Sequence, residues 1–113
     1  MKQRKPVDDR IPSLSRKEEL ILDLLLGCPS TEMYGLELVH NSHNKLKRGT
    51  IYVTLGRMQE KGYVESRQEE QSNLSGLPRR LYRVTGYGQK VYRACQLARE
   101  AMNLSTGEFA GAI

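Results

Sequence analysis

The side chains of this 113-residue sequence that could do chemistry are cations and hydroxyls gathered in two places. Lys45, Lys47 and Arg48 run, with no acid among them, straight into Gly49, Thr50, Tyr52, Val53, Thr54, Gly56 and Arg57. Arg79, Arg80 and Arg83 form a second group beside Gly76 and Pro78. The chemistry these types suit is recognition of a polyanion. Lysine and arginine meet phosphates, threonine hydroxyls bond phosphates or base edges, a valine meets a thymine methyl, and arginine reaches guanine. Covalent chemistry has no comparable machinery. His40 and His43 stand at i and i+3 without carboxylates or cysteines of metal-ligand spacing. Cys28 and Cys95 are far apart, in no CxxC pattern, and read as small buried hydrophobes, with oxidation sensing the less simple alternative. There is no Walker loop, GxGxxG or GxSxG. An enzyme is not expected, and neither metal nor cofactor is called for.

The first group must sit on a helix. Ile51, Leu55 and Met58 recur at i, i+4 and i+7, which stacks them into one buried stripe, and Gly62 stops the pattern. At about 100° per residue the opposite face carries Gly49, Val53, Gly56, Arg57 and Glu60, flanked by Thr50 and Thr54. That is a strange solvent face, since a mid-helix glycine costs about 1 kcal/mol relative to alanine. Glu60 and Lys61, toward the far end, are expected to stay in water. The second group lies between and within two strands, "YVESR" (63–67) and "RLYRVT" (80–85), which should pair antiparallel across the polar loop "QEEQSNLSGLPR". Glu65, Glu69 and Glu70 oppose a phosphate contact there and are expected on the outer edge of the loop.

Around these lie the elements that position them. Ser15 and Glu18 form a capping box that opens a helix with Leu20, Ile21, Leu24 and Leu25 inward, stopped by Gly27 and Pro29. A second helix, capped by Ser30 or Thr31, should run through "TEMYGLELVH" to near Asn41, with Tyr34, Leu38 and Val39 inward. The turn-rich "NSHNKLKRG" then has only Leu46 to pin it to the core. Thr85 should cap a long last helix with a stripe of Tyr87, Val91, Ala94, Cys95, Ala98, Ala101 and Met102, and Leu97 at its edge. The resulting fold class is mainly α with a small β-hairpin: a winged helix-turn-helix plus a C-terminal dimerisation helix. Its expected divisions are a flexible basic N-terminal arm (1–12), a winged-helix DNA-binding domain (13–85), a dimerisation helix (86–103) and a fraying C-terminal tail (104–113).

The bulk composition agrees with a polyanionic partner, with 18 Lys plus Arg against 13 Asp plus Glu, a formal net charge of +5. No apolar run is long enough to span a membrane, and "MKQRKPVDDR" lacks the apolar centre of a signal peptide, so a cytoplasmic location is expected. In a helix-turn-helix the second helix of the motif enters the major groove. Lys47, Arg48, Gly49, Thr50, Val53, Thr54 and Arg57 are therefore candidate DNA contacts, joined by Arg79, Arg80 and Arg83 on the wing. The glycines would permit close approach. The basic arm, with Lys2, Arg4, Lys5 and Arg10, could graze phosphates but reads more simply as a disordered terminus. Taken singly, the six tyrosines are more often core or interface residues than stacking platforms.

Three stretches together resemble the PadR family of transcriptional regulators: "MYGLEL", "RGTIYVTLGRMQEKGYVE" and "GLPRRLYRVTGYGQ". The likeness covers roughly residues 15 to 100 in order and spacing. It implies a winged-helix, dimeric repressor of the short subfamily with a single helix after the wing. By resemblance Tyr34 and Gly35 match the family's second-helix pair, and Gly49, Thr50 and Tyr52 match the start of its DNA-reading helix. Gly76, Pro78, Arg79, Arg80, Tyr82 and Arg83 match its wing. Tyr34 and Tyr52 thereby join the candidate DNA contacts. Val53 and Gly56 depart from the family pattern, so no operator sequence can be borrowed. Gly86, Tyr87 and Gly88 replace the usual acids after Thr85, which implies a looser start to the last helix. The resemblance also implies a small aromatic or lipophilic effector lodged between the last helices.

The last helix is longer than one small domain needs, with nothing else in the chain to cover its second side. It should pair with its symmetry mate and with the first helix of the other subunit, through Leu20, Leu24, Val91, Cys95, Ala98 and Met102. Two recognition helices would then meet major grooves about 34 Å apart, on an inverted repeat of double-stranded DNA. The alternative is a winged-helix adaptor that binds protein without reading DNA. The acidic start of the wing loop favours it weakly, and the positive charge and small residues of the third helix oppose it.

Overall fold

The computed structural model describes residues 13–69 and 79–111, with side chains as far as 103. The basic arm, Glu70, and Gly76 and Pro78 of the wing lie outside the described residues. The element order is α1 (Arg16–Gly27), β1 (Met33–Tyr34), α2 (Gly35–Asn41), α3 (Ile51–Glu60), β2 (Val64–Gln68), β3 (Arg80–Val84) and α4 (Gly86–Gly111). The three strands form an antiparallel sheet in the order β1-β3-β2.

The capping box at the start of α1 forms as expected. The Ser15 hydroxyl accepts from the Glu18 N–H at 3.1 Å, and the Glu18 carboxylate accepts from the Ser15 N–H at 3.0 Å. The inward stripe is shifted from the expected one. Ile21, Leu22 and Leu25 are fully buried, while Leu20 and Leu24 pack half-buried at the edge of the core. Glu18 lies on the same stripe and is only 6% exposed. Lys61, expected in water, instead reaches it at 2.8 Å. Burial pushes the Glu18 carboxyl up, but Lys61 and the Ser15 N–H outweigh it and hold its pKa below the ordinary value.

The second helix starts later than its sequence suggests. Met33 and Tyr34 pair with Tyr82 and Leu81 of β3, so α2 begins only at Gly35. A two-residue strand carries no periodicity to read. The capping device has moved with it, the Glu37 carboxylate accepting from the Tyr34 N–H at 2.8 Å. Leu38 is fully buried and Val39 packs on the core, but the Tyr34 side chain is turned to the wing. The turn into α3 is held by buried Ser42, whose hydroxyl donates to the Val39 carbonyl at 2.8 Å and accepts from the Leu46 N–H at 2.9 Å. His43 and Asn44 take left-handed φ of 54° and 70° there, and Leu46 is buried as expected.

Ile51, Leu55 and Met58 are all buried, as their spacing requires. Gly62, at φ 83°, ends α3: its N–H bonds to the Gln59 carbonyl and the Tyr63 N–H to the Met58 carbonyl, the paired bonds of a Schellman motif. One correction concerns the front of this helix. Gly49 and Thr50 lie in the turn that precedes it, with Thr50 as N-cap, so they meet a partner as a loop and not as part of the helical face.

The start of α4 is tight, contrary to the expectation of looseness. The Thr85 hydroxyl accepts from the Gly88 N–H at 2.9 Å and donates to the Gly62 carbonyl at 2.6 Å. A β-carbon on Gly88 would fall 2.1 Å from the Tyr63 carbonyl oxygen, so the glycine is there because the backbone just before β2 passes against it. The helix also runs to Gly111, past the boundary at 103. A lone glycine such as Gly107 costs only about 1 kcal/mol, too little to end a helix by itself.

Candidate nucleic-acid interface

The outer side of α3 is open. Tyr52 and Val53 are 49% and 55% exposed, and Gly56 and Arg57 are exposed beside them. A β-carbon added to Gly49 or Gly56 would meet no atom within 4 Å, so packing inside the chain does not demand either glycine. Gly35 is the opposite case, since a β-carbon there would stand 2.6 Å from the Tyr52 ring, which lies on the first turn of α2. Thr54 is half-buried and its hydroxyl donates to the Thr50 carbonyl at 3.1 Å, leaving only its lone pairs for a partner. Lys45, Lys47 and Arg48 are exposed in the preceding turn, and the Lys47 carbonyl receives the N–H groups of Thr50 and Ile51.

A groove of about 720 Å³ separates this face from the start of α1, lined by Lys17, Thr50, Val53, Arg57 and Lys61 among others. Lys17 was missed by the sequence reading. Its position between the two members of the capping box is the mark of an ordinary solvated residue, and only the packing of α1 across α3 brings its charge to this groove.

The wing arginines sit on two faces of the sheet. Opposite residues Gln68 and Arg80, Ser66 and Tyr82, and Val64 and Val84 share the core-facing side, and Glu65 and Arg83, with Arg67 and Leu81, share the other. Arg80 donates to the Ser66 hydroxyl at 2.9 Å, which lies 3.2 Å from the Gln59 side-chain oxygen, so a polar chain ties the wing to the end of α3. Arg83 pairs with Glu65 at 2.6 Å at the end of the hairpin away from the loop, and α3 is on the other face. The structure thus separates Arg83 from the other candidates and answers its charge locally. Arg67 forks onto Glu32 at 2.9 Å, which holds the Glu32 pKa below its ordinary value. Glu65 and Glu69 are accordingly not free on an outer loop edge. Arg79 lies over the Tyr34 ring, 4.9 Å from its centroid, and the Tyr34 hydroxyl donates to Glu69 at 2.8 Å.

The expected dimer surface is partly spent inside the chain. Val91 is only 2% exposed and belongs to the core. Cys95, Leu20 and Leu24 pack half-buried against that core, and Ala98 is half-buried. The second side of α4 is in fact covered in part by α1 of the same chain. The Tyr92 hydroxyl donates to Asp23 at 2.5 Å, a bond that pushes the Tyr92 pKa up to about 12, and Arg99 grips Glu19 at 2.6 and 2.7 Å. Still exposed on α4 are Leu97 at 59% and Met102 at 69%, and Leu97 lines a cleft of about 440 Å³ with Leu26 and Tyr92.

Among the described residues no helix is long and apolar enough to cross a membrane. No curated protein sequence matches this chain significantly. Among solved structures it is similar to a PadR family transcription regulator from hypervirulent Clostridium difficile R20291, with 23% identity over 81% of this chain and 95% of that one and a TM-score of 0.65. It is also similar to a PadR family transcriptional regulator from Eggerthella lenta DSM 2243, at 22% identity, 81% and 79% coverage and a TM-score of 0.64. A third likeness is to the PcaV transcriptional regulator from Streptomyces coelicolor, solved with its natural ligand, at 20% identity, 82% and 60% coverage and a TM-score of 0.65. At these identities the likeness establishes the winged helix-turn-helix fold. The sequence itself carries the rest, for the pattern of the transcriptional regulator PadR-like family matches residues 21–94. That span holds α3, the wing and the junction into α4, and the chain belongs to this family of DNA-binding transcriptional regulators, which are not enzymes.

Proposed function

We propose that the protein is a homodimeric, cytoplasmic repressor that reads an inverted-repeat operator in double-stranded DNA and leaves it when a small hydrophobic or aromatic effector binds. The observation that carries this is the outer face of α3, where exposed Val53 and Arg57 stand beside glycines that no internal packing requires. A major groove about 12 Å wide takes a helix most closely where side chains are small. On this reading Val53 and Arg57 address base edges, while Tyr34, Lys47, Arg48, Gly49, Thr50, Tyr52, Thr54, Arg79 and Arg80 hold the backbone. Lys17 extends that track along the groove. Exposed Leu97 and Met102 supply the apolar part of a two-fold surface, with Leu20, Leu24 and Ala98 at its margin. An effector would occupy the cleft beside Leu26, Tyr92 and Leu97, reached by analogy with the ligand-bound PcaV structure.

The test is an anisotropy titration with duplex from upstream of the protein's own gene and with a random duplex, in rising salt. The upstream duplex should bind at least about a thousand-fold tighter. Equal, salt-labile binding to both would overturn sequence-specific reading.

A further inference from the structure

At the wing end of the sheet, a tyrosine hydroxyl meets a carboxylate while a guanidinium lies on the face of the same tyrosine ring. Tyr34, the last residue of β1, donates its hydroxyl to the Glu69 carboxylate, with both oxygens at 2.8 Å. The Arg79 guanidinium lies over the same tyrosine ring at 4.9 Å. The two chain segments are held level by the Glu69 N–H, which donates to the Arg79 carbonyl at 2.7 Å. Stacking on an aromatic face orients a guanidinium in advance. A phenol hydroxyl beside such a guanidinium suits the oxygens of a phosphodiester as well as those of a carboxylate. The hydrogen bond to Glu69 raises the Tyr34 pKa, with Arg79 acting in the opposite sense, so the hydroxyl remains a donor at neutral pH. Tyr34 and Glu69 are half-buried and Arg79 is exposed, so solvent and a competing anion can reach the cluster.

We propose that the Tyr34 hydroxyl and the Arg79 guanidinium form a binding site for one backbone phosphodiester of duplex DNA, and that Glu69 occupies it until a phosphate displaces the carboxylate. The proposal rests on the DNA-binding reading above and adds to it an acid that belongs to the interface. Glu69 resembles the ion pairs of Glu32 and Glu65 in charge but differs in its partner. Those two acids neutralise arginines on the sheet face, whereas Glu69 is held by the Tyr34 hydroxyl, on the ring that Arg79 covers at the loop end of the hairpin. A site closed by its own carboxylate shows an apparent affinity reduced by the fraction of time that it is open. Glu69 therefore acts as a brake on backbone affinity that is blind to base sequence.

The test uses the full chain, with labelled random-sequence duplex and labelled duplex from upstream of its own gene, titrated at several salt concentrations. Glu69→Gln keeps the side-chain shape and removes the charge, and should tighten both duplexes by about five-fold. Glu65→Gln removes the same charge at the far end of the hairpin and should gain less than about two-fold. In a Tyr34→Phe/Arg79→Ala background Glu69→Gln should change nothing, and the slope of log K against log salt should be shallower by about 0.9, the signature of one lost phosphate. If Glu69→Gln weakens both duplexes, leaves them unchanged, or gains no more than Glu65→Gln, the proposal is overturned. Wild-type protein that binds while Glu69→Gln fails to tighten removes this inference alone. Wild-type protein that binds neither duplex at low salt removes the DNA-binding reading and this inference together.

Discussion

On the outer side of α3, Arg57 makes no side-chain hydrogen bond or ion pair among the described residues, whereas each described arginine of the wing is already engaged. Arg79 lies on Tyr34, Arg80 bonds Ser66, and Arg83 pairs with Glu65. Both regions are basic, and the difference lies in commitment. A side chain that is to choose among base edges has to arrive without a partner, because any internal bond would have to be broken for every base it tries. A side chain that is to hold a uniform backbone gains from being oriented beforehand, since ordering it on binding would cost about 0.5–1.5 kcal/mol. The contrast suits a reading helix and a positioning wing.

The largest effect should come from the mounting of the reading helix. Lys61→Met leaves the buried Glu18 carboxylate without its cation and should cost about 1–3 kcal/mol of stability at neutral pH. In wild type the lowered Glu18 pKa adds stability above the ordinary carboxylate range, and that stability is lost as pH falls through the lowered value. In the variant burial is opposed only by the hydrogen bonds from Ser15, so the Glu18 pKa lies higher than in wild type and the variant's deficit should shrink in acid. Thermal melts of both proteins across pH check the sign, and parallel curves would mean that the pair is not coupled.

Arg57→Ala should next cost about 1–3 kcal/mol on the upstream duplex and little on random DNA. Arg80→Ala should weaken both alike and flatten the salt slope by about 1. If the two substitutions behave alike, the division between reading helix and positioning wing is broken. Gly56→Ala tests the bareness of the face directly. It should raise stability by up to about 1 kcal/mol, because the added methyl meets open space, and weaken binding to the upstream duplex. Unchanged binding would leave the glycine unexplained. The smallest effect is expected from Arg83→Ala, which breaks an exposed pair worth about 0–1 kcal/mol and should leave both duplexes within error of wild type. A clear loss of binding there would return Arg83 to the interface and place the other sheet face against DNA.

The sequence by itself determined what depends on near neighbours along the chain. The stripe of Ile51, Leu55 and Met58, the capping box of Ser15 and Glu18, the stop at Gly62 and the cap at Thr85 are all formed. Each is a matter of local geometry, with a period or a hydrogen bond within a few residues. The composition of the α3 face and the basic wing were legible for the same reason, since exposure on a helix follows from counting around it.

What only the tertiary structure decided is who stands opposite whom. Periodicity says that Val91 shares a face with Cys95, but not that Val91 is already buried in the core of its own chain. It marks Glu18 as lying on an apolar stripe, but cannot supply Lys61 from 43 positions away. It reads Gly88 as a missing acid, although the carbonyl of Tyr63 passing against it leaves room for no side chain. The two residues of β1 were too few to show a period, and their strand exists because β3 offers it an edge. Burial, ion pairing and close backbone approach are relations between distant segments, and they exist only once the chain has folded.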